Sequence, residues 1–203
     1  MTIRPITRAE LPVATVELAR YLLGKIIVRE LPEGEASGRV VETEAYPPGD
    51  AALHAYRGIT PRNQSLFKQH GHAYVYLCYG VSQMLNVSSE ADGIGAGVLF
   101  RAIEPLVGVA HMMARRGTTR LLDVARGPGR LTQALGIARP LDGLDLCEAG
   151  PIYLATDDTC ASEIGISEIG ISTRIGITRD ADRPLRFFVS GNRHVSGPGK
   201  LNR

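Results

Sequence analysis

The spacing of apolar and polar positions changes several times along the chain, and each change marks a predicted element. Val13, Val16, Leu18, Ala19, Leu22 and Leu23 recur at partly helical spacing and stop at Gly24, which predicts an amphipathic helix. Thr7, with Glu10 three residues later, reads as that helix's capping box, and Pro12 fits its first turn. The period then shortens to that of strands. KIIVREL (25–31) and GRVVETEA (38–45), separated by PEGEAS, predict a β-hairpin. HAYVYLCYG (72–80), QMLNVSSE (83–90) and GVLFRAIE (97–104) predict three more strands joined by short turns. Helical spacing returns over 105–116 and again from GPGRLTQALGI (127–137). PIYLAT (151–156), the I-G-I region and LRFFVS (185–190) supply late strands. Such an order predicts an α+β fold: a single domain over 1–203 with a curved, largely antiparallel β-sheet surrounded by helices. Without regular β-α-β alternation, a doubly wound dinucleotide fold is disfavoured.

Two stretches break the pattern. YPPGDAALHAYRGITPRNQ (46–64) is rich in Pro, Gly and polar residues and reads as a long loop, a feature often functional in compact domains. SEIGI occurs at 162–166 and again at 167–171, and TRIGI follows at 173–177. This five-residue duplication reads as a surface-loop expansion, and the spacing alone does not say which I-G-I enters the sheet.

Composition narrows the class. A chain of 203 residues buries about 70% of the surface it exposes when unfolded, so it needs no staples. There is no apolar run of 18 residues and no leader-like start, so a membrane span is not expected and the cytoplasm is the default location. Cys78, Cys147 and Cys160 are widely spaced and read as reduced core thiols. His70 and His72 lack the acidic or thiol partners of a metal site, so neither metal nor other cofactor is expected. The net charge of +2 hides a strong segregation. Residues 101–139 carry a local +5, residues 141–168 a local −7 and residues 174–203 again +5. Two basic segments flanking an acidic one predict a polarised surface suited to a polyanion, nucleic acid included. An arginine-favouring codon usage explains the same composition equally well.

Glycine-rich pieces do not supply the chemistry. GIGAG (93–97) and GPG (127–129) fit neither dinucleotide nor P-loop spacing, and no G-x-S-x-G elbow occurs. Arg130 falls in the first turn of a predicted helix, where it either meets a backbone phosphate or simply accompanies helix initiation. What remains is carboxylate chemistry beside aromatics. Strand alternation puts Glu42 and Glu44 on one face, roughly 7 Å apart. That spacing alone leaves three readings open: an acid–base pair of an O-glycoside hydrolase, one catalytic carboxylate with a neighbour, or a solvated face. Alternation also sets Tyr74 and Tyr76 on one face, with Tyr79 at or near the turn.

GRVVETEAY, a following histidine, TPRN, YVYLCYG, LNVS and VLFRAIEP occur in this order, and GPGRLTQALGI and PLRFFVSG follow. In these motifs the chain resembles the alkyladenine (3-methyladenine) DNA glycosylase family from about residue 18 to 195. The resemblance implies a monofunctional repair enzyme that excises alkylated or deaminated purines from double-stranded DNA by hydrolysis of the N-glycosidic bond, and the chain is expected to work as a cofactor-free monomer. It implies Glu44 as the base that activates water and Arg101 as the residue that helps place that water. Tyr46 and Tyr76 correspond to the aromatics that sandwich the flipped base, with His54 on the opposite side of the pocket. Asn86 matches the asparagine that opposes the guanine amine, Tyr79 the side chain inserted into the duplex, and Ile177 a backbone carbonyl near the water. Arg62 and Arg130 are candidate DNA-backbone contacts.

The leaving group explains why one carboxylate is enough. A purine alkylated at N3 or N7 is cationic and departs neutral, so no acid has to protonate it. A non-catalytic nucleic-acid-binding domain of the same fold is the alternative, and an O-glycoside hydrolase the more distant one.

Overall fold

The computed structural model describes residues 2–157 and 168–202. In chain order the elements are β1 (Ile3–Pro5), α1 (Thr15–Tyr21), β2 (Ile26–Arg29), β3 (Ala36–Tyr46), β4 (Ala73–Cys78), β5 (Ser82–Ser88) and β6 (Gly97–Val107). They continue with α2 (Val109–Arg116), α3 (Pro128–Ala134), β7 (Ile152–Asp157), β8 (Ile169–Ser172) and β9 (Arg186–Val189). The strands form one sheet in the order β1-β7-β2-β3-β6-β5-β4, with β9 joined to β3 and β8 to β9. Every pairing between these strands is antiparallel, so the expected α+β class holds.

β3 is the hub. One edge pairs with β6 along almost its whole length. The other edge is divided: Ala36–Arg39 pair with β2, and Glu42–Glu44 pair with β9. Between these halves the register with β6 shifts on both sides of Glu42, so that Val41 and Arg101 are passed over in the pairing. A bulge of this kind reverses which face each side chain takes. Strict alternation would put Val40 on the same face as Glu42 and Glu44. Instead Val40 and Ile103 lie in the main core, and beyond the bulge Ala45, Val98 and Phe100 occupy that core. The carboxylates are thereby turned to the opposite face without leaving a hole in the apolar layer.

The three helices lie on the core side. Leu18, Ala19 and Leu22 around α1, Met112 of α2, and Leu131 and Ala134 of α3 pack against Val75, Leu85, Val87 and Phe100 of the sheet. Polar pins fix two helices. The Thr43 hydroxyl donates to the Ala19 carbonyl at 2.8 Å, and Thr132 donates to the Gln83 carbonyl at 2.7 Å.

Three element boundaries differ from expectation for physical reasons. The Thr7–Glu10 capping box is present, but it closes a single 3-10 turn at Arg8–Glu10. Leu11 ahead of Pro12 is extended, as the residue before proline prefers, and this separates the turn from α1. The α-helix then starts at Thr15, where the Glu90 carboxylate accepts from both the Thr15 amide (2.9 Å) and its hydroxyl (2.6 Å). The second helix begins later than 105, because β6 runs on through Pro105 to Val107. Among the described residues β3 is the only strand paired with β6 at that height, and proline is tolerated where one strand edge is open. Of the repeated I-G-I segments, the second SEIGI copy supplies β8; the first copy and Cys160 lie outside the described residues.

Candidate active site

Strand register gathers the site on the face away from the helices. Glu44 pairs with Leu99 and Tyr46 with Gly97. Asn86 pairs in turn with Leu99, Tyr74 with Asn86, and Tyr76 with Met84. Paired residues share a face, so side chains from β3, β6, β5 and β4 meet over one cavity of about 560 Å³. Gly97 lets Leu66 and the neighbouring strand pack closely at the cavity wall: a Cβ there would come within 2.8 Å of Leu66 and 2.9 Å of the Val87 carbonyl.

The floor is built of charges that solvent does not reach. Glu44 is fully buried. Its Oε1 accepts from the Ile175 amide at 2.8 Å and lies 3.1 Å from Arg101 Nη1. Its Oε2 accepts from the Tyr46 hydroxyl at 2.9 Å. Tyr46, Arg101 and Ile175 line the cavity, so Glu44 sits directly beneath the groups that form its bottom. Burial pushes the Glu44 carboxyl above the usual range, against the pull of Arg101, the Ile175 amide and the Tyr46 hydroxyl.

Glu42, equally buried, has a different environment. Its Oε1 accepts from Arg101 Nε at 2.8 Å and Arg186 Nε at 2.7 Å, and its Oε2 from the Ser196 amide at 2.7 Å. Burial works to raise this carboxyl too, but Arg101, Arg186 and Ser196 outweigh it and hold the group below the usual range. Two carboxylates two residues apart are thus driven in opposite directions, the pattern by which environment separates their chemical roles. Glu42 meets the cavity lining only through Arg101, while its other partners, Arg186 and the Ser196 amide, lie outside that lining, so it is poorly placed for the acid–base pair that the spacing allows.

The rim is aromatic. Tyr74 and Tyr76 are stacked with centroids 5.3 Å apart. The ring of His54 lies on the Tyr76 side, 4.4 Å from that ring, and its Nδ1 is 3.0 Å from the Tyr74 hydroxyl. Packing on that side and the charge of Arg62 push the His54 imidazole below its usual pKa. Arg62 also lines the mouth, with its guanidinium 5.8 Å from the Tyr76 ring and its Nη2 donating to the Leu77 carbonyl at 3.3 Å. Asn86 lines the cavity and donates to the Tyr74 carbonyl at 3.2 Å. Ile177 lines it as well, while the main-chain contact to Glu44 comes from Ile175, two residues earlier.

Tyr79 stands at the turn between β4 and β5 and is 92% exposed. The Val81 amide bonds to the Cys78 carbonyl at 3.0 Å around Tyr79 (φ 49°) and Gly80 (φ 71°). Both central residues therefore have positive φ, a hairpin turn that favours Asn or Gly at those places. A bulky tyrosine there buries nothing of its own fold.

Sequence reasoning missed the clamp behind Tyr46. Asp50, fully buried, pairs with Arg174 at 2.8 Å and Arg183 at 2.9 Å. Arg174 donates to the Ala45 carbonyl at 3.0 Å and lies 4.6 Å from the Tyr46 ring centre. The following loop is tied by Asn63, which donates to the carbonyls of His54 (2.9 Å) and Gly58 (3.1 Å). Arg101, Arg174 and Arg186 are all buried, so part of the charge in the two basic segments is internal and does not reach the surface. Arg130, in the first turn of α3, is half-exposed and pairs with Asp123 at 3.2 Å. Cys147 is a buried thiol as expected, but Cys78 is half-exposed and lines the cavity, because β4 runs along the cavity wall there. Among the described residues no group of three His, Cys, Asp or Glu could hold an ion. No helix among the described residues is long and apolar enough to cross a membrane.

Comparison with known proteins bears on this geometry. Residues 10–193 match the family model described as Methylpurine-DNA glycosylase (MPG). A protein of Mesorhizobium japonicum is 64% identical over 97% of this chain and 92% of its own. One of Paraburkholderia phytofirmans is 51% identical over 99% and 92%, and one of Methanoculleus marisnigri 47% over 90% and 93%. All three carry the name "Putative 3-methyladenine DNA glycosylase". The matches make the chain a monofunctional DNA glycosylase, an N-glycosyl hydrolase whose substrate is DNA. It belongs to the methylpurine-DNA glycosylase family.

Proposed function

We propose that the protein turns an alkylated purine out of duplex DNA into this cavity and hydrolyses its N-glycosidic bond with a water activated by Glu44. The observation that carries this reading is Glu44 itself, a buried carboxylate beneath an aromatic-lined cavity, held by Arg101, Tyr46 and the Ile175 amide. Water oxygen bonds to the anomeric carbon, the glycosidic electron pair goes to the purine, and the water proton goes to Glu44. The carboxylate also offsets positive charge on the sugar ring as that bond breaks.

The other residues take roles from their places. Tyr46 on one side and Tyr76 with His54 on the other hold the flat cationic base, which aromatic faces attract by roughly 0.5–2 kcal/mol. His54, driven toward its neutral form, adds no opposing charge to that side. Asn86 reads the purine edge, Arg101 and the Ile177 carbonyl hold the water, and Tyr79 fills the gap left in the duplex. Arg62 and Arg130 meet backbone phosphates. On this reading residues 1–203 work as one monomeric glycosylase domain, in the cytoplasm and on the nucleoid, and leave an abasic site.

The test is base release from duplex DNA carrying defined 3-methyladenine, 7-methylguanine or hypoxanthine. Free methylated base and an abasic site are expected. Binding without release would overturn the reading in favour of a non-catalytic domain, and turnover of a chromogenic sugar would favour an O-glycosidase. Hypoxanthine forms a separate arm, because a neutral deaminated purine needs a proton donor and the reading assigns none.

A further inference from the structure

Arg186 has no part in the chemistry above, yet it heads the largest side chains with no solvent exposure. All five of its N–H directions find acceptors. Nε donates to Glu42 at 2.7 Å, Nη1 to the Ser172 hydroxyl at 2.8 Å and the Leu201 carbonyl at 3.1 Å. Nη2 donates to the Ser196 carbonyl at 2.9 Å and Asn202 Oδ1 at 2.7 Å. Among the described residues its only carboxylate partner is Glu42. Glu42 Oε1 is shared with Arg101, and Arg101 reaches on to Glu44. The result is a chain of alternating charges, Arg186–Glu42–Arg101–Glu44. Ser196 touches three of its four members, through its amide to Glu42, its carbonyl to Arg186 and its hydroxyl to Arg101.

We propose that Arg186, seated on residues 196–202, is a positioning residue of the site: by holding Glu42 it fixes how the charge of Arg101 is divided between Glu42 and Glu44. This rests on the reading of Glu44 as the base. A guanidinium can turn fully toward only one carboxylate, and Arg101 already gives Nε to one and Nη1 to the other. Arg186 supplies Glu42 with a second cation, which leaves Arg101 free to serve Glu44.

The groups facing Glu44 come from four directions. Glu42 and Tyr46 lie on its own strand, Arg101 on β6, Tyr76 on β4, and Arg186 is its register partner on β9, with Arg174 behind Tyr46. Removing the Arg186 charge draws Arg101 toward Glu42 and leaves Glu44 less compensated, so Glu44 holds its proton to higher pH. Removing the Glu42 charge does the reverse. The working form is the carboxylate, so the rate rises with pH through the Glu44 titration, and the acid limb follows each shift.

Two measurements on the full chain read this out: the Glu44 carboxyl carbon followed by NMR against pH, and single-turnover release of 7-methylguanine against pH. Arg186→Gln is expected to move both to higher pH and Glu42→Gln to lower pH. Arg186→Lys, which keeps the charge, should restore most of the first shift. Should Arg186→Gln not fold, the double variant with Glu42→Gln reads the same route. With no Glu42 charge to draw Arg101 away, its limb must stay with that of Glu42→Gln, and a limb moved back to the native position or above overturns the proposal. Titrations that stay put, or that move the same way in both variants, overturn the proposal. A carboxyl titration that shifts as stated while the rate profile stays fixed would leave the charge division standing and remove Glu44 as the base.

Discussion

The floor and the rim of the cavity are built on different principles. Glu42, Glu44, Arg101 and Arg186 on the floor are buried and hold one another through short contacts from β3, β6 and β9. On the rim, Tyr76, His54, Arg62 and Tyr79 meet through ring edges, a long arginine contact and an exposed turn. A buried charge that loses its partner is costly, so each member of the floor network keeps the others in place. Stacking surfaces lack that constraint and tolerate different flat ligands. On the proposed reading the floor carries the chemistry, and the rim admits and extrudes the base.

The comparison breaks first at Glu44. Glu44→Gln should lower single-turnover excision by about 10²–10⁴-fold, the usual contribution of a general base, while lesion-DNA affinity is kept. A variant that still excises, or that loses affinity in step with rate, would dissolve the division between floor and rim. Next in size is the seam that joins them. Asp50 anchors the loop carrying His54 and, through Arg174, backs the Tyr46 ring. Asp50→Ala leaves Arg174 buried without its carboxylate, and about 3–5 kcal/mol of stability should be lost in urea unfolding. A loss no larger than that of an exposed pair would mean that the clamp does not hold the two parts together.

Tyr79 tests the rim alone. Tyr79→Ala should reduce excision from duplex DNA by about tenfold or more, the scale of one lost stacking contact. Excision from single-stranded DNA, which needs no wedge, should change little. Tyr79→Gly sharpens the point, because glycine takes a φ of 49° without the penalty that a side chain incurs there. That variant should be more stable by roughly 1 kcal/mol and still defective on duplex. Equal loss on single and double strands would place Tyr79 in the chemistry and erase the contrast.

Rim and floor were also unequally legible in the sequence. The strands carrying the rim, the exposed turn at Tyr79 and the same-face placement of Glu42 and Glu44 follow from local spacing and turn residues. The bulge at Val41 and Arg101 does not, because it exists only in the register between two strands. Nor does the separation of Glu42 from Glu44: alternation makes them equivalent, and Arg186 and Ser196 divide them from more than a hundred residues away. Ion pairs leave no periodic trace. The arginines of residues 174–203 were visible as charge, but charge alone reads as surface, whereas Arg174 and Arg186 lie inside. The capping box at Thr7 shows the converse, a local signal that is real but ends after one turn because Pro12 follows.

The smallest expected effect concerns Arg130, which lies outside both cavity layers. It sits two residues after Pro128, a cavity-lining residue, and its side chain is 47% exposed beside Asp123. An ion pair this exposed is worth about 0–1 kcal/mol, so a DNA phosphate can displace Asp123 from it. Arg130→Ala should therefore weaken binding to all sequences alike and make the slope of log affinity against log salt shallower by about 0.9. Glu44→Gln, measured beside it, should leave that slope unchanged, because a carboxylate beneath the floor releases no counterion from the DNA backbone. An unchanged slope for Arg130→Ala would put α3 outside the footprint and confine the phosphate contacts to the Arg62 side of the rim.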